Sequence, residues 1–369
     1  MSNRGLLATA MVLAILVSFG LSGLASPEAL LQGSPRAVRS APPPRLGTGG
    51  VDGASTHASS TLSVPSMTAT PGSITLDSNP VAVAYDRGNG CIYVANLYGN
   101  YLTVISGSTE AVVANISVGG PLDPGLDGVV YDSGNGNLYV TSANSPNVTV
   151  VSDWNNTVGG EVPTGSFHYV PGAIAYDSGN GYIYVANQDN ISVISDSTNS
   201  LIGTVPVGFG PQGFQGMAYD SANHEIYAAV TGNTTANAGG VVISDSSNTV
   251  IGKIAVGDNP QAVTYDSGDG NIYVTAQLVT TTSGTPPYLF AISGSNNTVV
   301  AEIPNLSAGP GGLAYDSATH EIYVDDGGLE IVSDGNNSVV GSVDFKGQPF
   351  GVGAVAYDAG NGHLYATNG

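Results

Sequence analysis

Residues 171–210 read PGAIAYDSGNGYIYVANQDNISVISDSTNSLIGTVPVGFG, and the reading of this stretch decides the fold. Val, Ile and Tyr crowd into four short runs, Ala173–Tyr176, Tyr182–Ala186, Ile191–Ile194 and Leu201–Val207. Branched and aromatic side chains of this kind suit a pleated, half-buried surface. Gly, Asn, Ser and Asp fill the gaps, where they supply positive φ or bond their own backbone. The stretch therefore predicts four short strands joined by tight turns. The same order of signals recurs along the chain. Tyr-Asp pairs stand at Tyr85, Tyr131, Tyr176, Tyr219, Tyr265, Tyr315 and Tyr357, with spacings of 46, 45, 43, 46, 50 and 42 residues. A period in this range is that of one four-stranded propeller blade per repeat. The expectation is an all-β, seven-bladed propeller over residues 61–369.

The second strand of the copies reads Tyr93-Val94-Ala95-Asn96, Tyr139-Val140-Thr141, Tyr184-Val185-Ala186-Asn187, Tyr273-Val274-Thr275 and Tyr365-Ala366-Thr367-Asn368. With Val193–Asp196 and the Val207–Pro211 junction, this resembles the YVTN family of β-propeller repeats over nearly all of residues 72–369. The resemblance implies a propeller of the kind found on archaeal cell surfaces and in secreted bacterial proteins, and it brings no shared catalytic residues. Copies four and six depart from it, at Tyr227-Ala228-Ala229 and Tyr323-Val324-Asp325.

The seventh copy stops at Gly369, just after its second strand. Gly72–Pro80 matches the fourth-strand pattern and Thr61–Val64 the third, so N-terminal strands are expected to complete the last blade. Closure of that kind removes an exposed strand edge.

Arg4 precedes an uncharged apolar run from Gly5 to Ala25 that ends in small residues. Residues 1–25 read as a signal peptide, or as a membrane anchor if uncleaved. Residues 26–60, with Pro27, Pro35, Pro42, Pro43 and Pro44, read as a flexible stalk. Eight Asn-x-Ser/Thr sequons, at Asn115, Asn147, Asn155, Asn190, Asn233, Asn296, Asn305 and Asn336, suit a secreted or cell-surface glycoprotein.

Twenty-eight acidic residues against 7 basic ones give a net charge of −21, which excludes nucleic acid and anionic lipid surfaces as partners. Only 9% of residues are charged, so the surface is solvated by Ser, Thr, Asn and Gly. The scarcity of bases limits self-repulsion once carboxylates protonate, and an acidic setting is expected.

Each Asp after the repeated Tyr opens a turn, where its carboxylate accepts backbone N–H groups. Asp266-Ser267-Gly268-Asp269-Gly270 has the alternating acids of a calcium loop but lacks its terminal Glu. No metal or cofactor is expected, and no GxSxG, P-loop, HExxH or CxxC motif occurs. His57 falls in the stalk, His168 in a junction, and His224, His320 and His363 in first-to-second-strand turns, where solvated side chains are expected. Cys91 has no partner for an internal disulfide and stands at a variable, exposed position.

Function in a propeller lives where blade junctions surround the channel mouth. Phe167, His168, Tyr169, Phe209, Gln212, Phe214, Gln215 and Phe350 sit in these junctions, and aromatic faces beside hydrogen-bonding groups suit a neutral glycan or a peptide. The competing reading packs the Phe rings between blades. The expectation is a non-enzymatic recognition or envelope protein binding a glycan, peptide or partner protein. A secreted lyase- or lactonase-type enzyme would instead use Asp123, Asp127, His168 and Asp258.

Overall fold

The computed structural model describes residues 12–17, 66–67, 72–76 and 79–367, apart from 119–124, 166–172, 189, 208–212, 232–237, 258, 278–287, 305, 307–310, 327 and 344–352. Every regular element among them is a strand, arranged as antiparallel four-stranded blades. In the first blade the strands run from the inner Pro80–Asp86 through Cys91–Asn96 and Tyr101–Ser106 to the outer Ala111–Ser117.

Six blades, where seven were expected, are each built from four consecutive strands. The seventh repeat supplies only Val355–Asp358 and His363–Ala366. These two join Val12–Val17 and Gly72–Leu76 in one further sheet. Gly72–Leu76 thus takes the outer position expected of it. The third position is held by Val12–Val17, within the apolar run that reads as an export signal, and Thr61–Val64 lies outside the described residues. Ser66–Met67 adds a fifth, parallel strand to the outer edge of the sixth blade, alongside Ser338–Val343.

The core is divided among the interfaces between neighbouring sheets. Ala173, Tyr184, Val193 and Val205 of the third blade close on Phe214, Met217, Ile226 and Val241 of the fourth. Leu76 and Tyr365 of the composite sheet close in the same way on Ile92 and Val94 of the first. Second strands are buried on both faces, as at Cys91–Asn96, where every residue after Cys91 is buried, because each is sandwiched between two sheets.

Two hydrogen-bond systems lock these interfaces. In every repeat the turn Asp caps its own hairpin: Gly88 and Asn89 N–H donate to Asp86 Oδ1 at 2.7 and 3.3 Å. The same pattern holds at Asp132, Asp177, Asp220, Asp266, Asp316 and Asp358. The repeated Tyr reaches across to the Asp of the preceding repeat, Tyr131 to Asp86, Tyr176 to Asp132, Tyr219 to Asp177, Tyr265 to Asp220, Tyr315 to Asp266 and Tyr357 to Asp316. Tyr85 reaches Asp358, so the first repeat is buckled to the last.

The second system uses the second-strand Tyr. Tyr93, Tyr139, Tyr184 and Tyr273 donate to Asn156, Asn199, Asn248 and Asn337 of the next blade at 3.0, 2.7, 2.8 and 2.8 Å, and Tyr227 donates to Asn297. Each of these Asn residues has φ between 47° and 59°. Asn tolerates that left-handed conformation better than most residues, and here its side chain also accepts the bond that couples two blades.

At the axis, inner strands approach too closely for side chains at some positions. A Cβ on Gly216 would lie 2.8 Å from Val263 N and 2.9 Å from Gln261 O, main-chain atoms of the neighbouring blade. Gly160, on an outer strand, has nothing within 4 Å of the same point. Gly216→Ala is therefore expected to cost about 1–3 kcal/mol by overpacking, and Gly160→Ala to leave the thermal midpoint unchanged or slightly raised. Melting the two variants side by side checks this.

Outer strands carry a recurrent irregularity. In all six blades the pairing of third and outer strands skips one residue, namely Val113, Gly159, Ile202, Ile251, Val300 or Val340. A bulge of this kind bends and twists the exposed edge and so limits further pairing; on the sixth blade the added strand pairs only with Ser342 and Val343, past the bulge.

Candidate functional site

Inner strands are also bulged, and the bulges aim side chains at the axis. Pairing slips between Pro80 and Ala82, between Leu126 and Gly128, between Phe214 and Gly216, and between Pro260 and Val263. The skipped residues include Val81, Asp127, Gln215 and Ala262, and all four line one axial cavity of about 250 Å³. Met217, Leu313 and Val355 add apolar wall, and Gly128, Gly216 and Gly312 leave main chain bare.

Asp127 is buried, and the Thr141 hydroxyl donates to its Oδ1 at 2.6 Å. Thr275 and Thr367, one strand further out in other sheets, accept from the Ala262 and Ala354 N–H groups at 3.0 and 2.8 Å. Asp325, the departure noted in copy six, accepts from Gly353 N–H of the neighbouring sheet at 3.3 Å. Second-strand hydroxyls and carboxylates thus hold the inner loops that shape the cavity. One carboxylate and one primary amide on an otherwise apolar and main-chain wall suit a small, neutral, hydrogen-bonding group.

Of the residues expected to bind ligand, Gln215 faces this cavity. Phe214 does not: it is 4% exposed and packed between the third and fourth blades, as the competing reading held. Phe167, His168, Tyr169, Phe209, Gln212 and Phe350 lie outside the described residues, as do Asp123 and Asp258 among the acids. Asp127 and Gln215, drawn from the two competing functional readings, meet in one place. The sequence signal that joins them is positional. Four residues before the recurring Tyr stand Val81, Asp127, Gly172, Gln215, Gln261, Gly311 and Gly353, a variable site inside an otherwise uniform strand.

The turn histidines are not simply solvated. His224 Nδ1 lies 3.2 Å from Asp245 Oδ2, and His320 Nδ1 lies 3.1 Å from Asp334 Oδ2. His363 Nδ1 lies 2.9 Å from Glu110 Oε1, joining the last repeat to the first blade. His224 and His320 both have φ of 60°, at positions where other repeats place Gly. Cys91 is half-buried rather than exposed, and burial together with the Asp86 charge pushes its thiol pKa up, away from the reactive thiolate. Of the sequons, Asn115, Asn155, Asn296 and Asn336 are exposed, while Asn147 and Asn190 are half-buried.

No family model matches this chain, and no curated protein matches it. Among solved structures, a chain of Kuenenia stuttgartiensis hydrazine synthase aligns with a TM-score of 0.67 at 17% identity, covering 79% of this chain and 92% of that one. Because 1572 solved chains match, the likeness identifies the β-propeller architecture and no activity.

Proposed function

We propose that the chain is a non-enzymatic recognition propeller of the YVTN-repeat type, exported to the cell surface or beyond. In this reading the composite sheet acts as a seventh blade, and the axial face takes a neutral glycan or a peptide. One observation carries the reading: the repeated Tyr, Asp and Asn side chains are engaged in blade-to-blade bonds, while the variable inner-strand position lines the axial cavity at Val81, Asp127 and Gln215. Repetition builds the ring, and departures from it supply the individuality of the site. Exposed sequons at Asn115, Asn155, Asn296 and Asn336 support an extracellular setting.

The test is a glycan and peptide array with the full chain, alongside Gln215→Ala and Asp127→Asn. Binding that falls at least tenfold in either variant, with an unchanged melting curve, is the expected result. Binding that survives both variants moves the site elsewhere. Stoichiometric bound metal with turnover of a polysaccharide or lactone would replace this reading with the enzymatic one.

A further inference from the structure

In the second, fifth and sixth blades the chain turns from third to outer strand through Asn155-Asn156-Thr157, Asn296-Asn297-Thr298 and Asn336-Asn337-Ser338. The middle Asn has φ of 54°, 59° and 51° and faces inward, accepting from Tyr93, Tyr227 and Tyr273. The first Asn is exposed in all three. The hydroxyl of the third residue donates to its Oδ1, at 2.6 Å for Asn155 and Asn296 and 2.7 Å for Asn336. The carbonyl side of each amide is thus held, while its Nδ2 bonds to no other described residue.

The turn itself does not require Asn at this point. Thr198-Asn199-Ser200 and Ser247-Asn248-Thr249 build it in the third and fourth blades, where the two hydroxyls bond each other at 2.7 and 2.8 Å. A hydroxyl serves there in place of the amide, so what Asn155, Asn296 and Asn336 add is an exposed amide nitrogen.

Sequons in strands are built differently. Residues i and i+2 of a strand share a face but stand about 7 Å apart, so amide and hydroxyl do not meet. Asn115, Asn147 and Asn190 belong to strands, and the last two are half-buried. Asn147 Nδ2 already donates to Glu161 Oε2 at 2.7 Å, and Ser192, the hydroxyl residue of the Asn190 sequon, is fully buried. One aromatic singles out the second blade. Trp154, the single Trp of the chain, is 91% exposed and directly precedes Asn155. Its indole is a large apolar surface left in water, of the kind on which the apolar face of a sugar ring stacks.

We propose that Asn155, Asn296 and Asn336 are N-glycosylation sites, that the strand sequons stay bare, and that the first sugar on Asn155 covers Trp154. This rests on the export reading above. In the transfer, Nδ2 bonds to the anomeric carbon of a lipid-linked oligosaccharide diphosphate. The bond from that carbon to the phosphate oxygen breaks, the lipid diphosphate leaves with the electron pair, and the Nδ2 proton passes to a base of the transferring enzyme. Third strands run in the same direction as the inner strand of their own blade, so these turns lie where inner strands end, whereas the axial cavity is lined from where they begin. Glycans on the turns therefore leave the cavity open.

The full chain is expressed in a eukaryotic host that glycosylates secreted proteins, and occupancy is read by peptide mass spectrometry after glycosidase release in heavy-oxygen water. Occupancy above half at Asn155, Asn296 and Asn336, and below a tenth at Asn115, Asn147 and Asn190, is expected. Asn155→Ser, Asn296→Ser and Asn336→Ser, each installing a hydroxyl that other blades already carry, are each expected to remove one glycan and keep the rest. Trp154 emission should shift to the red when glycosidase is applied to the folded wild type, and stay unchanged in Asn155→Ser. Exported chain with bare turn sequons, or with strand sequons as heavily occupied as the turns, overturns the proposal. Emission that ignores the glycosidase overturns the cover over Trp154. A chain retained inside the cell counts against the export reading alone; a host leader placed ahead of Met1 then carries it into the secretory path, where the same occupancy pattern decides.

Discussion

Tyr184→Ala is expected to lower the unfolding free energy by about 3–5 kcal/mol, the range for truncating a large core side chain. Tyr184 is 0% exposed, and its ring sits in the cluster that joins the third and fourth blades. Its hydroxyl donates to Asn248 of the next blade at 2.8 Å. Alanine removes the ring, opens a cavity between two sheets and strands the Asn248 acceptor. Tyr184→Phe keeps the ring and loses only the bond, which is worth about 1 kcal/mol. Urea unfolding of the two variants separates packing from hydrogen bonding. Equal losses in both would mean that the blades are held by the hydroxyl network rather than by the rings.

Alkali should unfold the protein cooperatively, and the loss should track tyrosine ionisation. Burial, reinforced in Tyr85 and Tyr357 by bonds to neighbouring carboxylates, pushes Tyr85, Tyr93, Tyr139, Tyr357 and Tyr365 up to about 12 from the ordinary 10.0. Tyr131, Tyr176, Tyr184, Tyr219, Tyr227, Tyr273, Tyr315 and Tyr323 are pushed higher still, burial again being the main cause. A raised phenol pKa contributes stability that is fully present below pH 10 and is withdrawn as the pH rises through 12. For the fully buried Tyr93 and Tyr139 this amounts to something on the order of 2 kcal/mol each. Summed around the ring, it exceeds what a domain of this size holds in reserve. Absorbance at 295 nm and circular dichroism should therefore change together, in one step above pH 10. Gradual ionisation of the tyrosines with an unchanged dichroism spectrum would contradict the assignment of these rings to the blade interfaces.

Much of this ring was readable in one dimension because its period is local. Tyr85 to Tyr357 mark the repeats, and Asp86 and its equivalents were expected to cap turns, as their bonds to backbone N–H groups bear out. What a linear reading could not supply is direction across an interface. That Tyr131 bonds Asp86 of the preceding blade, while Tyr139 bonds Asn199 of the following one, depends on how sheets stack around an axis. The same limit hid the roles of His224 and His320, whose partners lie 21 and 14 residues away, in the turn just past the third strand. Phe214 and Gln215 show the finer grain of the problem. Adjacent in sequence, one is packed between blades and the other faces the cavity, and only the bulge between Phe214 and Gly216 decides which is which. The strand that takes the third position of the last sheet was not legible for a different reason. Third-strand residues in this fold are short apolar runs, and Val12–Val17 satisfies that pattern as well as Thr61–Val64 does.

The bond from Tyr85 to Asp358 also changes how injury spreads through the molecule. In an open solenoid, a widened joint is absorbed by a slight change of curvature, and distant units do not feel it. In a closed ring the angles between sheets must sum to one full turn, so a joint that opens compresses all the others. Damage at any single buckle is then shared around the circumference, and the ring yields as a whole rather than fraying from its ends.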